Sequence, residues 1–155
     1  MTILIREVTD KDLTNQARQL FIEYGKSLNI DLSFQDFKQE LKWLPRPYCL
    51  PRGCLLLAYF DNKLAGCVAL RKLKNEICEM KRLYVRPEFR RKRVGSELSK
   101  SLITRAIEYG YRYIRLDTLP FMKEAINLYR ALGFKEIAPY CYNPVENAKF
   151  FELEL

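Results

Sequence analysis

Between Ile77 and Ala106 the chain changes its periodicity across a block of positive charge, and few architectures can host that change. Ile77 to Val85, "ICEMKRLYV", reads as a β-strand. Val94, Leu98, Leu102 and Ala106 recur at helical spacing. Between them Arg90, Arg91, Lys92 and Arg93 run straight into Val94, Gly95 and Ser96. A strand, a basic loop and a glycine-started helix make an anion site, because the first N–H groups of a helix lack internal acceptors and its dipole favours negative charge there. Gly95 leaves room for a phosphate group to approach the backbone.

The flanking patterns supply the rest of the fold. "TILIREV" reads as a first strand, and Asp10 caps a helix carrying Leu13, Ala17, Leu20, Phe21 and Tyr24 that should stop at Gly25. Ser33 with Asp36 resembles a capping box for a short second helix bearing Phe37, Leu41 and Leu44. After a proline-rich loop, Pro45 to Gly53, two strands flank a turn at Asp61-Asn62-Lys63. "YIRLDTL", a helix with Ala125, Leu128, Tyr129 and Leu132, "FKEI" and "AKFFELEL" complete the order β-α-α-β-β-β-α-β-α-β-β. That order predicts an α/β (α+β) domain around a mixed sheet.

The strand before the basic block carries an irregularity. Its apolar positions Cys78 and Met80 are even, whereas Leu83 and Val85 are odd. Side chains alternate faces with period two, so the change of parity predicts a β-bulge, which leaves backbone groups open to a ligand.

Composition narrows the chemistry. The 155 residues include no histidine, which removes Ser-His-Asp and Cys-His catalysis and leaves carboxylate, tyrosine, cysteine, lysine or water to move protons. The five cysteines (Cys49, Cys54, Cys67, Cys78, Cys141) form no CxxC pair, and they read as free thiols of a soluble, cytoplasmic protein without a metal. From Arg71 to Arg115 there are 14 Lys and Arg against 5 Asp and Glu, while the rest of the chain is nearly neutral. An anionic partner is expected at that segment.

"RRKRVGSEL" following "MKRLYVRPEF" resembles the acetyl-CoA signature of the GNAT superfamily of N-acetyltransferases, Q/R-x-x-G-x-G/A, with Arg90 at its first position and Gly95 at its last glycine. "EAINLYRALGFKEI" resembles the second motif of that family, A-x-x-L-Y-x-x-x-G-F. Arg93 stands where the family usually has its first glycine, and Met122 where the second motif often has an asparagine. The resemblance implies one N-acetyltransferase domain over residues 1–155, with about seven strands flanked by about four helices. It implies acetyl-CoA as co-substrate, a pyrophosphate cradle at Arg90, Arg91, Lys92, Arg93, Val94, Gly95 and Ser96, and backbone groups of Leu83, Tyr84 and Val85 at the acetyl end. Direct attack by a primary amine of a small molecule or peptide follows, in a monomer or homodimer, with no nucleic-acid or membrane partner.

Candidate catalytic groups come next. Glu79 is expected as base, directly or through water, and the alternative is a strand glutamate paired with Lys81 or Arg71. Asp117 is a weaker candidate. Tyr129 matches the tyrosine of the second motif, which implies a proton donor to the departing thiolate; the alternative is a core tyrosine on an apolar face. Cys78 as nucleophile lacks a neighbour to lower its pKa. Trp43, Tyr48, Tyr140 and Tyr142 fall in segments that line the acceptor site in the family, and Glu146 or Asp31 could attract a cationic amine. Two other functions stay open: an acyl-CoA-binding protein without catalysis, and a nucleic-acid-binding module, although no aromatic residue interrupts Arg90 to Arg93.

Overall fold

A computed structural model describes residues 2–28 and 36–155. The elements follow the expected order: β1 (Ile3–Glu7), α1 (Lys11–Leu28), α2 (Phe37–Trp43), β2 (Cys54–Phe60), β3 (Lys63–Lys74), β4 (Ile77–Val85), α3 (Val94–Glu108), β5 (Tyr113–Thr118), α4 (Lys123–Ala131), β6 (Lys135–Ile137) and β7 (Lys149–Glu154). The sheet runs β1-β2-β3-β4-β5-β7-β6. All its pairings are antiparallel except β4 with β5. Among the described residues, seven strands form one mixed sheet and four α-helices cover its two faces.

Alternation along each strand decides which face meets which helices. Cys54, Leu56 and Ala58 of β2 pack with Val94, Leu98, Leu102, Ile126 and Tyr129, so α3 and α4 cover that side. Leu55 and Leu57 point the other way, into a cluster with Leu13, Ala17, Leu20 and Phe21 of α1. The Asp10 carboxylate accepts the Leu13 N–H at 2.8 Å and starts α1 as its sequence predicts. Asp61 and Asn62 both adopt positive φ, 47° and 69°, as a two-residue hairpin turn between β2 and β3 requires.

Two helix boundaries differ from expectation. Gly25 does not end α1, which continues to Leu28. A Cβ at Gly25 would lie 2.9 Å from the Phe37 ring, so the glycine lets α2 pack closely on α1. Asp36 sits in the left-handed region and makes no side-chain cap on α2, and Ser33 lies outside the described residues.

The bulge expected in β4 is present. Ala69 pairs with Lys81 and Cys67 with Tyr84, so β4 advances one residue more than β3 over the same span. Arg82 carries the extra step at φ 60°. Glu79, Lys81, Arg82 and Tyr84 therefore address the α1 and α2 side, and Leu83 and Val85 return to the α3 side. Among the described residues no helix is long and apolar enough to cross a membrane.

Candidate active site

Strands β4 and β5 start as parallel neighbours and then part. Their ladder holds only Ile77↔Tyr113, Cys78↔Ile114 and Glu79↔Arg115. Beyond Glu79, β4 has no pairing with β5, and a gap opens that is lined by Met80, Lys81 and Leu83 on one side and by Leu116, Asp117 and Thr118 on the other. Backbone groups of the bulged segment border this gap without a strand partner there. The parting strands thus leave a passage of only about 40 Å³, whose lining shares Leu83 and Met122 with one neighbouring space and Lys81 and Asp117 with another.

On one side of the passage lies a groove of about 630 Å³. Leu83, Tyr84, Val85, Arg90, Arg91, Arg93, Val94, Gly95 and Ser96 all line it, facing Met122 to Ala125 and Leu128. Lys92 does not. It turns aside, its ammonium 5.5 Å from the centroid of the Phe60 ring, because the loop alternates direction through Arg91 and Arg93, both at positive φ. At the start of α3 the first internal bond comes from the Glu97 N–H to the Arg93 carbonyl, and no side chain caps the helix. The Val94, Gly95 and Ser96 N–H groups are thus left to a ligand or to water. Arg90 donates from Nε to the Val85 carbonyl at 3.0 Å, fixing its guanidinium beside the strand end. Arg91 reaches Glu124 at only 3.7 Å with both side chains exposed, so that pair adds little.

Arg93 occupies the left-handed region, φ 68° and ψ 10°, at the N-cap of α3. A side-chain-bearing residue pays about 1–2 kcal/mol there. Glycine would remove that strain but lose roughly 0.5–1 kcal/mol of chain entropy. Arg93→Gly should therefore raise the unfolding free energy by about 0.5–1 kcal/mol, read from urea denaturation. A less stable variant would mean that the Arg93 side chain outweighs its strain.

On the other side of the passage, α2 and the following loop wall a cavity of about 840 Å³. Trp43, Tyr48 and Tyr142 line it together with Glu40, Arg71, Glu79, Lys81 and Asp117. Tyr48 is buried, whereas Trp43 and Tyr142 are 61% and 74% exposed at its mouth. Tyr140 lies behind them and donates its hydroxyl to Glu79 Oε2 at 2.6 Å. Glu146 is exposed and stands outside the lining, and Asp31 is not among the described residues.

Glu79 is buried on the α2 side of the sheet, where it lines this cavity. Arg71 holds Oε1 with Nε and Nη2 at 2.8 and 2.7 Å, so both carboxylate oxygens are engaged. Burial pushes this carboxyl up, but Lys81, Arg71 and the Tyr140 hydrogen bond outweigh it and hold the pKa below its ordinary value. A carboxylate so held is a poor direct base. Burial, with Arg82 adding, pushes the Lys81 ammonium down. Asp117 accepts from Asn143 Nδ2 at 3.1 Å. Cys78 lies in the core and its thiol is pushed up to about 12 by burial, which excludes it as a nucleophile.

Tyr129 is a buried core residue that also borders the gap between β4 and β5. Its ring packs near Phe134 and Phe151, centroids 5.8 and 6.2 Å away, yet it also lines the passage. Burial raises its pKa, which keeps the phenol protonated.

The profile of the acetyltransferase (GNAT) family matches residues 15–134 of this chain. The chain belongs to that family. It is an acyltransferase of the N-acetyltransferase kind, and an uncharacterised N-acetyltransferase of Dictyostelium discoideum is 34% identical to it, with both chains covered in full. A GNAT-family acetyltransferase of Staphylococcus aureus shares the fold at TM-score 0.80 and 22% identity, covering 99% of each chain. Another, from Elizabethkingia anophelis with acetyl-CoA bound, superposes at TM-score 0.68 and 22% identity, over 99% of this chain and 98% of that one.

Within this N-acetyltransferase, sequence reasoning missed much of the polar framework on the α2 side of the sheet. Arg82 is bound through two hydrogen bonds to Glu40 of α2, 42 residues away, and Tyr140 reaches Glu79 from 61 residues away, whereas Arg71 is one of the two partners the sequence suggested for Glu79. The parity change in β4 was the available signal, since a bulge at Arg82 puts it beside Lys81 on the face of Glu79. Tyr24 of α1, which lines both groove and passage, had no signal beyond its place on an apolar helix face. Among the described residues no cluster of His, Cys, Asp and Glu could hold a metal ion.

Proposed function

We propose that the chain, as one catalytic domain over residues 1–155, transfers the acetyl group of acetyl-CoA to a primary amine by direct attack. The observation that supports this reading is the gap between β4 and β5, which shares Leu83 and Met122 with the groove at an uncapped helix N-terminus and Lys81 and Asp117 with an aromatic, charged cavity. The N–H groups of Val94, Gly95 and Ser96, with Arg90, Arg91 and Arg93, hold the pyrophosphate. Lys92 contributes only to the surrounding positive field. Acetyl-CoA supplies the activated thioester.

Backbone donors of the bulged segment at Leu83 to Val85 bind the developing oxyanion. The amine enters through the acceptor cavity, its nitrogen bonds the carbonyl carbon, the C–S bond breaks, and the ammonium proton leaves. Glu79 takes that proton by relay through Tyr140 or a water, since both its oxygens are occupied. Tyr129 hydrogen-bonds the departing sulfur and hands it a proton. Small-molecule and peptide amines both fit a cavity of this size, in which Trp43 and Tyr142 offer flat apolar contact at the mouth.

Thermal unfolding with acetyl-CoA, CoA and a short oligonucleotide, at low and moderate salt, tests the reading. Acetyl-CoA at ~100 times its Kd should add about 2.7 kcal/mol of stability. That corresponds to roughly 5–11 °C in a chain of this length, and it should survive moderate salt. Amines that release free thiol from acetyl-CoA then identify the acceptor. Stabilisation by the oligonucleotide alone, collapsing with salt, would transfer the basic loop to a nucleic-acid role.

A further inference from the structure

The bulge in β4 is held open from outside its own strand. Arg82, at φ 60°, occupies a backbone region that arginine seldom adopts, so its surroundings must fix it. They do so with a buried ion pair. Arg82 Nε lies 2.8 Å from Glu40 Oε2 and Nη2 lies 2.7 Å from Oε1, with the side chains only 2% and 9% exposed. The guanidinium also stands over the rings of Phe37 and Tyr24, 5.2 and 5.9 Å from their centroids.

Glu40 comes from α2, whose residues are none of them fully buried, and it lines the acceptor cavity. A buried ion pair is a weak way to fasten a helix, because apolar residues of the same volume do as well or better. It is a good way to fix a geometry, since two parallel hydrogen bonds specify angle as well as distance. If Arg82 relaxed to an ordinary strand conformation, the extra residue would be lost and Leu83 and Val85 would change faces. The unpartnered backbone groups along the passage would then point elsewhere.

We propose that the Arg82–Glu40 pair is a positioning device that locks the β4 bulge to the acceptor wall, so that the backbone donors at Leu83 to Val85 meet the thioester carbonyl. This rests on the acetyl-transfer reading. Arg82 acts through the backbone it holds, and Glu40 through Arg82, both carboxylate oxygens being taken by the guanidinium. The pyrophosphate site, at the far end of the groove on α3, is not part of the device.

The test separates binding from polarisation and needs no identified amine. Bound [1-¹³C]acetyl-CoA is observed by isotope-edited infrared spectroscopy, and its acceptor-free hydrolysis is followed by thiol release. The unmodified enzyme is compared with Glu40→Gln/Arg82→Asn, which removes both charges and puts a residue tolerant of positive φ at the bulge. The expected result is acetyl-CoA still bound at saturating concentration through the α3 end of the groove, a carbonyl stretch returned toward its value in water, and hydrolysis of the bound thioester slowed about 10-fold or more.

Arg82→Lys, which keeps the charge but not the two-point grip, should fall between the two. If the double variant does not fold, Arg82→Lys and Glu40→Asp carry the same comparison. Variants that bind acetyl-CoA with the parent's carbonyl frequency and hydrolysis rate would overturn the positioning role and leave acetyl transfer intact. Failure of the unmodified enzyme to bind acetyl-CoA would overturn both.

Discussion

Tyr129→Phe is expected to lower kcat about 100-fold while leaving the Kd for acetyl-CoA and the melting temperature close to those of the parent. The separation follows from where the two ends of the side chain lie. Phenylalanine keeps the ring contacts with Phe134 and Phe151, so the core loses no volume. Only the phenol oxygen is removed, from a residue that borders the gap between β4 and β5. Burial raises the pKa of this phenol, so it stays protonated throughout the neutral range and is always available as a donor.

A raised phenol pKa also makes a weaker acid, but the same burial raises the pKa of a thiolate formed beside it, from an ordinary value of about 8.5. The match between donor and leaving group is thereby kept. The rate should accordingly show no basic limb from Tyr129 below pH ~10. Steady-state thiol release on an accepted amine measures the effect. A folded Tyr129→Phe enzyme with the parent's kcat would return Tyr129 to a purely structural role.

What could be read in the sequence was whatever depends on neighbours in the chain. Strand alternation, the cap at Asp10, the turn at Asp61-Asn62 and the bulge in β4 all follow from local pattern, and each is present. That the basic loop and the start of α3 wall one groove was legible for the same reason, apart from Lys92, whose direction depends on Arg91 and Arg93 both taking positive φ. Gly25 misled because a glycine that admits a neighbouring ring reads like one that ends a helix.

The partners of Glu79 were only half legible. Arg71 lies across the β3–β4 hairpin and was one of two expected partners, whereas Tyr140 arrives from 61 residues away. It does so because β7 inserts between β5 and β6 and draws the connecting loop back over the α2 side of the sheet. Glu40 reaches Arg82 in the same way, through the packing of α2. A pattern of residues determines faces; which charges meet across them depends on how the layers close.

Gly66→Ala should produce the largest loss of stability, about 3 kcal/mol, because it drives a side chain into backbone. For a chain of this length that lowers Tm by roughly 6–12 °C. A Cβ at Gly66 would sit 2.5 Å from the Tyr84 carbonyl oxygen and 3.3 Å from the Val85 Cα, on the strand that carries the bulge. Neither atom can rotate away, so β4 itself must shift. Tyr84 and Val85 line the groove, and acetyl-CoA binding should weaken along with the fold. Gly95→Ala provides the contrast. Its Cβ would meet only Leu128 Cδ2 and Val85 Cγ2, at 3.6 and 3.7 Å, which is ordinary contact within the same groove. The fold has room for that methyl, so stability should hold, whereas a pyrophosphate resting on the α3 N-terminus has to compete with it. Differential scanning calorimetry with and without acetyl-CoA distinguishes the two glycines. Gly66→Ala must fail in both conditions, and Gly95→Ala only in the size of the ligand-induced shift. Equal behaviour of the two variants would mean that the room beside Gly95 belongs to the fold and not to a ligand.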